Sequence, residues 1–144
     1  MNRRLRRALL TVVVVCVVLL LLAAVARFRP AGGEQERVQA VVELFCQALA
    51  GRNYDALLSV LTGDALAAME YLLPVLEASG AETALHDLQV HVREIRRDTA
   101  VAEARYVQEQ RVPGHGTTVQ RMVVLFEFVL LEGQWRIARI TRVR

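Results

Sequence analysis

Residues 121–143 read RMVVLFEFVLLEGQWRIARITRV, and this stretch decides the fold. Two runs rich in β-branched and aromatic residues flank a tight turn at Glu132-Gly133, which predicts a hairpin with Trp135 just inside its second strand. In the first run Met122, Val124, Phe126, Phe128 and Leu130 share one parity. Val123, Leu125, Val129 and Leu131 share the other, interrupted only by Glu127. An antiparallel strand with one wet face alternates apolar with polar residues. This one does not, so both of its faces are expected to be covered.

Upstream of the hairpin the period is still two. Leu88, Val90 and Val92 alternate with Gln89, His91 and Arg93, a half-buried strand beginning near Leu85. Arg96-Arg97-Asp98 makes a turn into a second strand, 99–110, with Ala100, Ala102, Ala104 and Tyr106 on one face. Val101, Glu103, Arg105 and Val107 lie on the other. Pro113-Gly114 suits a type II turn, because Pro fixes φ and Gly supplies the positive φ that comes after it. Strands 117–131 and 134–143 complete a four-stranded antiparallel meander.

Before Gly80 the period is helical. Val38, Val41, Val42, Phe45 and Leu49 form one stripe on a helix over Glu34–Ala50, with Glu34 and Glu36 in the dipole-favoured first turn and Gly51 as the stop. Cys46 borders the stripe and reads as a core-edge residue, with no neighbouring base to activate it. Asn53 caps a short helix over Tyr54–Leu61, and Asp64 a third over Ala65–Leu73 with Leu66, Met69 and Leu73 on one side. Pro74 is expected to kink or restart that helix.

Ahead of these elements stands Ala8–Ala26, 19 residues without charge, Gly or Pro. At ~1.5 Å per residue such a helix spans ~28 Å, close to the ~30 Å hydrocarbon core of a bilayer. Residues 1–7 then form a basic cytoplasmic tail, 8–26 a transmembrane helix in contact with membrane lipid, 27–33 a linker and 34–144 the folded domain. Four arginines before the run and two after it favour an inside N-terminus. The other reading is a secreted protein, cleaved after Ala24-Val25-Ala26, although the run is long for a signal peptide.

The net charge of +3 divides unevenly. Residues 1–29 carry six arginines and no acid, leaving twelve arginines against fifteen acids in the remainder. The domain is mildly acidic, which argues against nucleic acid as a partner. The cysteines, Cys16 and Cys46, fall in different compartments and form no framework.

Three segments in this order resemble the nuclear transport factor 2-like (NTF2-like) superfamily. They are Gly51-Arg52-Asn53-Tyr54-Asp55-Ala56-Leu57, Asp98-Thr99-Ala100-Val101-Ala102 and Glu132-Gly133-Gln134-Trp135-Arg136-Ile137, within a match spanning about residues 36–143. The resemblance implies an α+β fold: three N-terminal helices packed on a curved four-stranded antiparallel sheet, cone-like, here preceded by one transmembrane helix. A short tail and one membrane helix before such a domain are similar to the anchored assembly components of bacterial conjugation and type IV secretion channels, which implies a bacterial cell membrane with the domain outside.

Enzymes of this fold, such as ketosteroid isomerase, place carboxylates, Tyr or His inside the cone. Here the inward parity of the third strand has no polar member. Tyr106 is the best inward polar candidate, with Tyr54, Tyr71 and Asp55 able to contribute from the helices, so no catalytic residue is assigned and Tyr54, Tyr71 and Tyr106 form a candidate ligand pocket. His86 and His91 are five apart and expected on opposite faces, and His115 sits at a loop tip. No cluster has metal spacing, and no cofactor is implied. The sequence therefore favours a non-catalytic interaction domain that forms a homodimer or docks a protein partner through Val123, Leu125, Val129 and Leu131. The alternative is a small-ligand binder or isomerase-like enzyme using the interior.

Overall fold

Four long strands, each antiparallel to the next, come after three helices in a computed structural model that describes residues 33–143. The tail 1–7, the apolar run 8–26 with Cys16, and linker residues 27–32 lie outside the described residues, as does Arg144. Among the described residues no helix is long and apolar enough to cross a membrane.

Helix α1 spans Glu34–Ala50, as its apolar stripe predicts, and buries Val38, Val42, Phe45, Cys46 and Ala48. Cys46 is thus inside the core rather than at its edge. The helix does not stop on a left-handed glycine: Gly51 keeps a right-handed φ of −80°, and Arg52 takes the positive φ of 54°. The Asn53 amide donates to the Ala48 carbonyl at 2.9 Å and the Arg52 amide to Leu49 at 3.3 Å, the paired bonds of a Schellman cap.

Asn53 caps helix α2, Tyr54–Ser59, by accepting the Ala56 amide. The helix ends before Leu61 because Val60–Thr62 turns away to pair with a strand. Helix α3, Gly63–Ser79, runs unbroken through Pro74. The proline removes one bond to the Glu70 carbonyl, and both residues are exposed, where water can satisfy that carbonyl. Asp64 lies in the first turn of α3, one residue inside the start, rather than capping it.

The sheet contains β1 (Glu82–Ile95), β2 (Thr99–Val112), β3 (Gly116–Leu131) and β4 (Gln134–Arg142), in that spatial order. The β2–β3 turn is type II as expected, with Gly114 at φ 80° and the His115 amide bonded to the Val112 carbonyl at 3.0 Å. Glu132 and Gly133 both have positive φ, 51° and 75°, which makes the β3–β4 connection a type I′ turn whose twist matches the strands. The edge of β4 is covered: Thr62 donates to the Ile137 carbonyl and Ile137 to that of Val60, each at 2.8 Å.

The helices lie on the face formed by Ala100, Ala102, Ala104, Tyr106, Val124, Phe126 and Phe128, all buried, which is the inward parity the sequence predicts. Phe45 meets Phe126 edge-on with ring centroids 5.5 Å apart. At the hairpin end α1 is fastened to the turn. The Trp135 indole donates to Glu34 Oε2 at 2.6 Å, and the Arg37 guanidinium bonds both Glu34 and the Gly133 carbonyl. The Trp135 and Arg37 hydrogen bonds hold the Glu34 carboxyl below its ordinary range, against a smaller opposing effect of burial.

Register breaks bend the strands. One in β1, between His86 and Gln89 with Asp87 at φ 55°, inverts the parity of the rest of the strand. His86 pairs with Val107 and His91 with Glu103, so the two histidines share the outer face instead of opposing each other. They remain ~13 Å apart along the strand and cannot ligate one ion.

Candidate functional site

The interior is packed at one end and open at the other. Around the β3–β4 turn Phe128, Trp135, Ile137, Leu57 and Leu61 are buried and fill the space between sheet and helices. Beyond Phe126 the packing stops, and a cavity of about 420 Å³ opens beneath α3. That size lies in the ~300–1,000 Å³ range of small-molecule sites.

Each wall arises from local patterning. Helix α1 contributes Phe45 and Leu49, one turn apart on its apolar stripe. The α3 wall is Ala65, Ala68, Met69 and Leu72, the three- and four-residue steps of one helix face. From the sheet come Tyr106 on β2, then Met122, Val124 and Phe126 on β3, successive inward positions of a strand. Phe126 and Met122 therefore form the wall of the cavity and leave its volume open.

Four polar side chains reach this lining. Asp64 and Arg139 engage each other at 3.4 Å, and Arg139 also lies 3.6 Å from Glu127. Arg142 donates to the neutral Gln120 side chain at 3.2 Å. The fourth is Tyr106, whose ring is buried. Burial, with the nearby Cys46 adding to it and Arg142 opposing, pushes its hydroxyl up to about 12, so it is a neutral hydrogen-bond donor at physiological pH. Burial likewise pushes the Cys46 thiol up to about 12, which makes it inert.

The three tyrosines do not gather. Tyr106 lines the cavity, whereas Tyr71 is 81% exposed on α3 and Tyr54 lies beside Arg52 at the α1–α2 corner. Asp55 is exposed in the first turn of α2. Arg142 escapes a reading by alternation, because a register break at Glu127/Phe128 shifts β4 by one residue. Trp135 and Ile137 face inward, and after the break Ile140 and Arg142 do. Strict alternation from Trp135 would put Thr141 inside and Arg142 outside.

The outer face differs from what β3 alone suggests. Val123, Leu125 and Val129 are half-buried and Leu131 is 43% exposed. Their cross-strand neighbours are charged: Arg105 pairs with Val123, Glu103 with Leu125, and Arg136 with Val129. Glu103 is only 5% exposed and is held by Arg93 and by Arg105, the latter at 2.7 Å. Those bonds, the one from Arg105 foremost, keep its carboxyl below the ordinary range. Ion pairs thus flank the apolar strip on its β2 side. A polar cleft of about 490 Å³ lies over this cluster, bounded by Gln89, His91, Arg93, Glu103 and Arg105. Among the described residues no group of three or more potential metal ligands converges.

No protein-family profile and no curated protein sequence matches the chain. Solved structures do match in fold. A ketosteroid isomerase-like protein from Erwinia carotovora atroseptica superposes with a TM-score of 0.61 at 18% identity, covering 78% of this chain and 98% of its own. A nuclear transport factor 2-like protein with a cystatin-like fold from Novosphingobium aromaticivorans gives 0.54 at 19%, covering 84% and 86%. The beta subunit of the benzoate 1,2-dioxygenase from Burkholderia mallei gives 0.62 at 10%, covering 78% and 91%. The described residues therefore have the nuclear transport factor 2-like fold, which is shared by enzymes, enzyme subunits and proteins of unknown function.

Proposed function

We propose that this domain is a non-catalytic binding module whose interior cavity holds a small molecule with an apolar body. The observation that carries the reading is the 420 Å³ cavity beside Tyr106, walled mainly by apolar side chains. Acid–base catalysis needs a titratable group free to exchange a proton with substrate. The one carboxylate in this wall, Asp64, has a side chain that is 79% exposed and paired with Arg139, and the Tyr106 hydroxyl holds its proton far above neutrality. Binding is what remains for such a wall to do. The domain is carried outside a bacterial cytoplasmic membrane by segment 8–26, an assignment supported by the length of the apolar run and the arginines before it.

Purification of the full chain in a neutral detergent, with subsequent solvent extraction and mass spectrometry, tests the cavity. Small molecules should co-purify with the wild type and be depleted in Ala68→Trp, which fills the cavity from an exposed helix position. Equal recovery from both, or none from either, refutes the reading. The mature N-terminus tests the anchor, since a chain beginning at Arg27 would be a secreted one.

A second reading is self-association or docking of a protein partner through the outer face. It is favoured by Val119 and Leu131, 62% and 43% exposed on β3, and by Val143 just beyond β4 at 52%. Leu125→Asp with Val129→Asp should abolish association without unfolding the domain, and a wild-type chain that is monomeric and captures no partner refutes it.

A further inference from the structure

Resting on the cavity reading above, we infer that the ligand is an anionic amphiphile, with its chain against the apolar wall and its carboxylate or phosphate head held by Arg142 and the Tyr106 hydroxyl. Three observations on different elements converge on this head-group site.

Arg142 reaches the cavity from β4, and its hydrogen-bond partner among the described residues is the uncharged Gln120. The other cavity arginine, Arg139, is already balanced by Asp64 and Glu127. One positive charge, on an exposed side chain, therefore stands at the boundary of an apolar volume with no acidic partner among the described residues. A guanidinium also offers the parallel donors that carboxylate and phosphate accept.

The Tyr106 hydroxyl supplies a neutral donor on the same side. Its ring is buried, and Arg142 lies close enough for its charge to act on the hydroxyl. No buried side-chain polar atom among the described residues lacks a hydrogen-bond partner, and this hydroxyl has none there, so it is open to the cavity. A buried tyrosine normally satisfies its hydroxyl locally. Here the hydroxyl lies in the cavity lining, where it can donate to a ligand.

The third observation is the rim. Leu72 on the α3 wall is 46% exposed, and the neighbouring helix positions, Tyr71 and Val75, are 81% and 62% exposed. An apolar lip continuous with an apolar wall suits a chain that enters lengthwise, whereas a compact polar metabolite would leave both unused.

Native mass spectrometry of the full chain, released from neutral-detergent micelles, can count bound molecules after addition of decanoate, decyl phosphate or decanol. Decanoate or decyl phosphate should form a one-to-one adduct at least tenfold more tightly than decanol. Each methylene removed from the chain should weaken binding up to about fourfold. In Arg142→Gln the acid should lose its advantage over the alcohol. Ala68→Trp should abolish all of these adducts, which separates the cavity from segment 8–26. If decanol binds as tightly as decanoate and Ala68→Trp blocks both, the head-group inference is wrong and the cavity reading stands. If no adduct forms, or none is blocked by Ala68→Trp, both are wrong. Phosphatidylglycerol vesicles added in place of the free amphiphiles distinguish the source: extraction of the whole lipid assigns the head group to membrane phospholipid, and decanoate adducts alone to a free acid.

Discussion

Replacing Arg52 by glycine should stabilise the protein, although it deletes the whole side chain. Arg52 is held at φ 54° by the Schellman cap of α1. A non-glycine L-residue in that conformation costs ~1–2 kcal/mol, from the approach of its Cβ to the next carbonyl. Glycine removes the strain but adds ~0.5–1 kcal/mol of unfolded-state entropy. Nothing else of weight is lost. Its one side-chain hydrogen bond among the described residues, Arg52 Nε to the Tyr54 hydroxyl, is 3.4 Å long and exposed. The difference leaves a gain of about 0.5–1 kcal/mol, or a rise of ~2–5 °C in Tm for a domain of this size.

The assay is thermal unfolding of the full chain in neutral detergent, monitored by circular dichroism. Three companion variants make it specific. Arg52→Ala keeps the Cβ, and so the strain, and should fall within ~0.5 kcal/mol of wild type. Arg52→Asn should lie between alanine and glycine, because asparagine tolerates the left-handed region. Gly51→Ala should bring no gain, since Gly51 has an ordinary φ and a Cβ there would come within 3.1 Å of the Gln47 carbonyl. If Arg52→Gly melts at or below Arg52→Ala, the strain argument is refuted.

Three other perturbations read different parts of the structure. Stability should fall as pH rises through the window from about 9 to 12, because the folded state retains the Cys46 proton up to about 12 and the unfolded state loses it near 9.0, so that the native state binds more protons throughout that range; Tyr106, raised from 10.0 to about 12, adds to the fall above pH 10 in both proteins, so chemical denaturation against pH should show a wild-type slope steeper than that of Cys46→Ala by up to ~1.4 kcal/mol per pH unit. At pH 8 the peptide carrying Cys46 should resist iodoacetamide until denaturant is added, which peptide mapping can track separately from Cys16. Trp135→Phe and Glu34→Met should each lower Tm and should fall short of adding in the double variant, since both remove the same 2.6 Å bond; additive losses in that cycle would show that the bond carries no coupling. Phe126→Ala should cost about 3–5 kcal/mol in chemical denaturation, and a loss near 1 kcal/mol would mean that the open end collapses to fill the space.

The parts of this fold legible in sequence are those set by an uninterrupted period. The α1 stripe, the inward set from Ala100 to Tyr106 and the inward set of β3 are all where spacing puts them, because no bulge falls inside those runs. What alternation misses lies beyond a register break. The break in β1 turns His86 onto the face of His91, and the one at Glu127/Phe128 carries Arg142 into the cavity. Such breaks depend on pairing between strands distant in sequence, and a single strand read alone has no mark of them. The outer face is legible only in part for a related reason: β3 is apolar on both parities, but the β2 residues paired with Val123 and Leu125 are the charged Arg105 and Glu103. Pro74 misleads because a proline's cost depends on whether the carbonyl it orphans is exposed, which is a tertiary fact.

The division of the interior bears on how binding and stability are distributed. At the closed end Trp135 is tied to α1 through Glu34, and Phe128 and Ile137 are fully buried. At the open end α3 buries only Ala65 completely, although it is apolar on nearly every side. A helix with that composition ordinarily has partners all round. Here one side meets the cavity and another meets solvent, so α3 contributes less than its sequence could to holding the domain together. Substitutions at Ala68 or Leu72 should therefore alter occupancy with little change in unfolding free energy, while those at Phe128 or Ile137 should do the reverse. A ligand along the cavity would bury part of the unused α3 face and stabilise the domain by the free energy of that burial. Ligand-induced stabilisation should then be largest in the hydrogen-exchange protection of α3 and smallest around Trp135. Uniform protection would mean that the two ends unfold as one unit and that the division is only geometric.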